Sequence, residues 1–233
     1  MSTEPGRDLQ KLKAEPLSTL AYQALRESII RGQYKMGEQI VEGQVAKALG
    51  ISRSPIREAL RRLADERLVE ERPRHGTFVR VFDADDFVDI YNLRIAVETA
   101  SIRLATRRQP DLSEIEATLE QMEQAAKQKQ IPELVDLEFQ VHRRICEASD
   151  NEFLLTTYTG LEGPIRLALT LDDAAYKNLD DVVTEHAPLL DAIRAGDEIA
   201  AAKAVEWHII ASVGPALERL GSDQTGLMTI YTS

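Results

Sequence analysis

The sequence predicts a mainly α protein in two parts: three helices and a small β-hairpin towards the N-terminus, then an all-helical bundle. Three observations predict it. Apolar residues recur at helical spacing along most of the 233 residues. Two runs rich in β-branched and aromatic residues, LVEERP and GTFVRVF, flank Pro73-Arg74-His75-Gly76, the punctuation of a short hairpin. From Asp83 onward only the helical pattern remains.

Taken in order, residues 1–16 are polar and read as a disordered arm. STLAYQALRESIIRGQY reads as a helix with Leu20, Ala24, Ile29 and Ile30 inward, stopping near Gly32. A connection through Met36 and Gly37 leads to VEGQVAKALG, a second helix ended by Gly50. The third, ISRSPIREALRRLADERLV, carries Ile56, Leu60, Leu63 and Ala64 on one stripe, with Ser52 placed to cap and Pro55 tolerated in the first turn. The later helices are expected at about 84–108, 112–130, 132–149, 151–170, 178–195 and 197–220. Pro110-Asp111 and Ile131-Pro132 start helices, and Ala195-Gly196-Asp197 makes a tight connection with the aspartate as the next cap. The domain reading is 17–82, then 83–222, with 223–233 as a C-terminal tail.

The net charge of -11 hides two electrostatic halves. Residues 17–80 hold 12 basic against 8 acidic side chains, and residues 81–233 hold 13 against 28. The basic part suits phosphate, whereas the acidic part would be repelled by it. On the third helix Arg53, Arg57 and Arg61 fall at i, i+4 and i+8, a guanidinium ridge opposite the apolar stripe. Such a ridge is shaped to enter a groove of double-stranded DNA, and three helices with a hairpin is the plan of a winged helix-turn-helix. No apolar run approaches the roughly 20 residues that cross a bilayer, and the N-terminal segment lacks an apolar signal core, so a cytoplasmic protein without membrane contact is expected. The single cysteine, Cys146, reads as a small buried hydrophobe.

The string from Gly32 to Phe82 resembles the DNA-binding domain of the GntR family of bacterial transcription regulators. The Gly37-Glu38 turn, the Ala46 to Gly50 helix end, the block from Ser52 to Leu60 and the wing Gly76 carry the likeness, in that order. The helical half resembles the ligand-binding domain of the FadR subfamily. Met36 stands where the family favours proline, Arg67 where it often has glycine, and Gly43 where the fatty-acid-responsive member has a DNA-contacting arginine. The resemblance implies that Arg53 and Arg57 reach guanine edges, that Ser52 and Ser54 hold phosphates, and that Arg74, His75 and Gly76 enter the minor groove. Arg61 is a further candidate contact, although Arg61 with Asp65, and Arg62 with Glu58, are equally readable as ion pairs on a solvated face. So small a module reads DNA as a homodimer on a palindromic operator.

Three of the four histidines, His142, His186 and His208, fall on inward stripes of separate helices. Burying three imidazoles without a shared purpose costs desolvation three times. With Glu138, four residues before His142 on the same face, they form an oxygen and three-nitrogen set for a divalent metal, Zn²⁺ first, Ni²⁺ or Mn²⁺ if waters or an effector add ligands. The segment DLEFQVHRRICEASDN resembles the subfamily's Asp-x-x-x-His motif, with Glu138 for the aspartate and Val141 for the usual phenylalanine. Asp136 is the rival carboxylate, at a less favourable angle. Arg94 is either an i, i+4 partner of Glu98 or a clamp for the carboxylate of an effector, which makes small organic acids the expected ligand class. The leading expectation is a ligand-responsive regulator, most often a repressor in this family. The alternatives are a metal hydrolase using the Glu/His set and a regulator whose metal is purely structural.

Overall fold

The computed structural model describes residues 15–173 and 178–231, with the backbone alone for 171–173. All but the last two residues of the expected N-terminal arm lie outside the described residues.

The first helix, α1, spans Leu17–Ile30. Its buried line runs through Ala21, Leu25 and Ile29, whereas Leu20 and Ala24 of the expected stripe face solvent. The four-residue spacing of 21, 25 and 29 follows one helix face, and Leu20 lies a full 100° step off it. Then come β1 (Gln39–Ile40), α2 (Glu42–Leu49), α3 (Arg53–Asp65), β2 (Val69–Arg72) and β3 (Gly76–Val79). The strands form one antiparallel sheet in the order β1-β3-β2. The hairpin is where the sequence places it, but β1, two residues long, is too short to announce itself by alternation.

Two helix ends in this half are built alike. Gly50 closes α2 in the left-handed region (φ 66°), with the Ile51 N–H donating to the Ala46 carbonyl at 3.0 Å. After α3 the same turn is made with Arg67 (φ 59°), and the Leu68 N–H donates to the Leu63 carbonyl at 2.9 Å. A side chain there costs about 1 kcal/mol against glycine. Leu68, turned inward by this bend, is fully buried.

The helical half comprises α4 (Ala84–Arg108), α5 (Ser113–Lys127), α6 (Ile131–Ala148), α7 (Glu152–Gly160), α8 (Glu162–Asp173), α9 (Leu179–Thr184), α10 (Ala187–Ala195) and α11 (Glu198–Arg219). A capping box closes the start of α4, with Asp83 accepting from the Asp86 N–H at 2.9 Å. The Asp197 carboxylate caps α11 by accepting from the N–H groups of Ile199 and Ala200. Two expected helices are broken. The helix expected over 151–170 divides at Leu161 because Pro164 has no N–H to donate to the Gly160 carbonyl. That over 178–195 divides at Glu185 and His186, because Pro188 cannot donate to the Thr184 carbonyl.

The long helices α4 and α11 pack along each other, with α6 against α4. One apolar core runs without interruption from Ala21 and Leu60 through Leu68, Phe82 and Phe87 to Val213. The two halves touch where Leu68 packs on Gly163 of α8; a Cβ at 163 would fall 2.9 Å from the leucine. Arg26 braces the same contact, its Nε 3.1 Å from Glu66 at the end of α3 and its Nη2 3.0 Å from Glu162 of α8.

Residues 223–231, read from sequence as a tail, return along α4 and α11. Leu227 is buried, and Asn92 of α4 donates to the Gly226 carbonyl and accepts from the Met228 N–H. The buried Glu206 carboxylate of α11 accepts from the N–H groups of Ile230 and Tyr231, each at 2.9 Å. Among the described residues no helix is long and apolar enough to cross a membrane.

Candidate nucleic-acid face and metal centre

The α3 face is assembled by a steep amphipathic division. Ile56, Ala59, Leu60 and Leu63 are buried, while Ser52, Arg53, Ser54, Arg57 and Arg61 are exposed. Ser52 stands at the N-cap position, but its hydroxyl makes no capping bond, contrary to the sequence expectation. The first N–H groups of α3 are thus not closed off by that side chain and point outward with the positive end of the helix dipole. Arg57 lies beside Glu42 of α2, its Nε–H donating to the two carboxylate oxygens at 3.1 and 2.9 Å. The Arg53 guanidinium rests against Gly43, where a Cβ would stand 3.1 Å from Nη2.

The two expected solvated-face pairs do not form among the described residues. Arg62 lies over the Tyr22 ring, 3.8 Å from its centroid, rather than against Glu58. Partial burial of that face rewards stacking on the ring over an exposed ion pair. Arg61 makes no ion pair with Asp65 and stays in solvent. At the wing, Arg74, His75 and Gly76 are exposed. Pro73 with Arg74 at φ 66° is the type II turn pattern, and the His75 N–H returns to the Arg72 carbonyl at 2.9 Å. Gln39 of β1 donates to the His75 carbonyl at 2.7 Å, fixing the tip from the neighbouring strand. Glu42 and Gln39 are functional candidates that the sequence did not single out, since their partners lie 15 and 36 residues away.

The second site lies inside the helical half. Glu138 and His142 share one face of α6, His186 sits at the α9–α10 break, and His208 comes from α11. All four are buried, and one ligand atom from each lies within 4.8 Å of the others. The His142 Nε2 is 3.1 Å from the His208 Nε2 and 3.3 Å from the His186 Nε2. Nitrogens bound at about 2.0–2.1 Å around a tetrahedral ion stand about 3.3 Å apart. The break at Pro188 has a consequence here: it places His186 where its Nδ1 meets the Val182 carbonyl at 2.8 Å. A carbonyl only accepts, so Nδ1 carries the proton and the Nε2 lone pair points inward. His142 offers its Nε2 the same way, its Nδ1 2.5 Å from Glu98 Oε2, although not aligned as a hydrogen bond. Two lone pairs facing each other repel, and a cation between them removes the conflict. The residues therefore fit a metal ion.

Electrostatics around the centre agree. Burial, with the neighbouring His142, pushes His186 down to about 3, and burial with both neighbouring imidazoles holds His208 well below its ordinary value. Neutral imidazoles are the form that binds metal. Arg94 does form the i, i+4 pair, its Nε 2.8 Å from Glu98 Oε1. Burial alone would raise the Glu98 carboxyl, but the Arg94 guanidinium, with the His142 imidazole beside it, holds it at about 2. Arg94, Glu98 and His142 thus form a chain, and Glu98 serves both neighbours. The Arg94 Nη1 and Nη2, buried over the Tyr91 ring, have no hydrogen-bond partner among the described residues. Asp136, the rival carboxylate, is held by Arg166 and is not in the cluster.

Comparison with known proteins identifies the two halves of the chain. Residues 17–79 match the family described as bacterial regulatory proteins, gntR family, and residues 89–211 match the FCD domain. The chain is 32% identical over 186 residues to the protein of Paenarthrobacter nicotinovorans named "Probable D-xylose utilization operon transcriptional repressor", covering 78% of this chain and 81% of that one. It is 34% identical over 170 residues to the Nta operon transcriptional regulator of Aminobacter aminovorans, covering 72% and 80%. A crystal structure of a GntR transcriptional regulator from Rhodococcus sp. RHA1 superposes with a TM-score of 0.73 at 25% identity, over 82% of this chain and 93% of that one. These families and relatives are transcription regulators and not enzymes, which overturns the hydrolase alternative. With a DNA-binding helix-turn-helix half and an FCD half in one chain, the protein belongs to the GntR family of bacterial transcription regulators.

Proposed function

We propose that the protein is a homodimeric, ligand-responsive repressor whose affinity for a palindromic operator is set by a small organic acid bound beside a divalent metal. The convergence of three imidazole Nε2 atoms on one point carries this reading. Glu138, His142, His186 and His208 would hold the ion, and an oxygen and three-nitrogen set suits Zn²⁺ first, with Ni²⁺ and Mn²⁺ as rivals. The free Nη1 and Nη2 of Arg94 present a guanidinium fork for a carboxylate. At the other end, Arg53 and Arg57 read guanines, Ser52, Ser54 and Arg61 meet the backbone, and Arg74, His75 and Gly76 enter the minor groove.

A route between the ends supports coupling. Asp136 of α6 pairs with Arg166 of α8, Arg166 with Glu162 at 3.0 Å, Glu162 with Arg26 of α1 at 3.0 Å, and Arg26 with Glu66 at the end of α3 at 3.1 Å. A shift of α6 on ligand binding therefore has ionic contacts through which to bias the seating of α3.

Burial of all four ligands favours one second reading, in which the metal only holds the fold together. Metal analysis, followed by operator titrations with metal alone and with a panel of mono-, di- and keto-acids, separates the two. The first reading expects an acid that changes operator affinity about 5- to 150-fold. An acid that binds by calorimetry yet leaves the operator isotherm unmoved refutes the coupling.

A further inference from the structure

Glu42 poses a difficulty for a helix that reads DNA. It places a carboxylate, a third of its side-chain surface exposed, against the ridge that phosphates must approach. If its role were to tie α2 to α3, the apolar residues between those helices already do so: Val45 and Ala46 of α2 share the core with Ile56, Ala59 and Leu60. An exposed ion pair adds about 0–1 kcal/mol to that. Stability is therefore a weak reason for an acidic group in this place.

Geometry gives a better one. Both Glu42 oxygens take the Nε–H of Arg57, at 3.1 and 2.9 Å, on the inner edge of the guanidinium. The N–H bonds of Nη1 and Nη2 that point away from the stem remain for an outside partner. That end is the fork that matches O6 and N7 of a guanine. A free arginine carries about 2 kcal/mol of rotamer entropy, part of which is lost when it engages DNA. A carboxylate that fixes the side chain beforehand lowers that loss. Its charge also repels phosphate, so Arg57 gains less from a backbone it meets at random. Beside it, Gly43 leaves the Arg53 guanidinium room to lie against the same turn of α2.

We infer that Glu42 is the positioning residue for Arg57 and sets the preference of this protein for its operator over unrelated DNA. The inference rests on the reading of α3 as the recognition helix. Removing the charge should act in opposite directions on two kinds of DNA: binding to unrelated sequence tightens and its salt dependence steepens, while binding to the operator weakens.

The test uses the full chain, a duplex enriched from a random library by the wild-type protein, and an unrelated duplex of equal length. For Glu42→Gln the melting temperature should stay within about 2 °C of wild type, as for an exposed pair. The ratio of the two affinities should fall about tenfold, within the 1–3 kcal/mol typical of one base contact. Base preference should relax at the position where Arg57→Ala also erases it, and Glu42→Asp should restore part of the ratio. Equal weakening on both duplexes with a lower melting temperature would make Glu42 a structural residue and overturn the inference. So would relaxed preference only at a cytosine that Arg57→Ala leaves intact, since Glu42 would then read that base itself. Undiminished operator binding by Arg57→Ala would instead overturn the reading of α3 beneath it.

Discussion

On α3, charge stands in water: Arg53, Arg57 and Arg61 are exposed, and the Arg57–Glu42 ion pair is itself open to solvent. Between α4, α6, α9, α10 and α11, charge is enclosed, with Arg94, Glu98, Glu138 and the three imidazoles all buried. The same residue types therefore do different work. At the surface a guanidinium costs little to keep and, in the proposed reading, is ready to exchange water for DNA, so its removal should touch binding and leave the fold. In the interior each group is held by the next, and removal of one leaves a charge that water cannot reach. The contrast teaches that the ridge can diversify by single substitutions, whereas the centre changes only as a set.

The largest expected effect breaks that set. Arg94→Ala leaves the Glu98 carboxylate buried without its guanidinium, which costs about 3–5 kcal/mol. For a chain of this size that lowers the melting temperature by about 6–20 °C. Arg57→Ala should stay within about 0.5 kcal/mol of wild type. Scanning calorimetry of the two variants side by side checks the comparison, and equal shifts would erase it.

Metal removal comes next. At a hundredfold excess of metal over its dissociation constant, binding adds about 2.7 kcal/mol to stability, so a chelator should lower the melting temperature by several degrees. Acid should act in the same direction on the stripped protein. His186 binds its proton at about 3 when folded and near 6.5 when unfolded, and His208 is displaced the same way. Below pH 6.5 the unfolded chain takes up protons that the folded one refuses. The His186 contribution to stability is therefore flat above that pH and falls as pH drops from 6.5 towards 3, by up to about 1.4 kcal/mol per unit, and His208 acts in the same direction. Denaturant titrations at stepped pH, with and without Zn²⁺, measure it. A stability unchanged between pH 7 and 5 without metal would mean that the imidazoles are not enclosed.

How far the sequence reveals each region follows from where the partners lie along the chain. The α3 ridge is one contiguous segment at a fixed period, so Arg53, Arg57 and Arg61 can be placed on one face before any fold is known. The imidazoles are on three helices and become suggestive only because histidine is so scarce. Arg94 and Glu98 are legible as an i, i+4 pair, but the other Glu98 oxygen meets a residue 44 positions on, for which no local pattern exists. Glu42 is hidden for the same reason. Both missed helix breaks had a local signal: Pro164 and Pro188 each stand in the first turn of the next helix, where a proline marks a start and not a continuation. Residues 223–231 follow no period at all, because backbone bonds from Gly226, Met228, Ile230 and Tyr231 to Asn92 and Glu206 hold the segment in place.

The smallest expected effect sharpens the division inside the ridge itself. Arg61 lies two turns beyond Arg53 on α3, and among the described residues it has neither a carboxylate to aim it nor a ring to stack on, unlike Arg57 and Arg62. A flexible guanidinium without a support finds phosphate oxygens more readily than a base edge, because the phosphate offers acceptors over a wide range of directions. Arg61→Ala should then weaken operator and unrelated DNA alike by a few-fold, and reduce the magnitude of the slope of log K against log salt by about one per protomer. The melting temperature should not move. Fluorescence anisotropy on both duplexes at four salt concentrations gives the slope directly. A loss confined to the operator, with an unchanged salt slope, would place Arg61 among the base readers and show that support by a neighbouring side chain is not what separates the two kinds of arginine on this face.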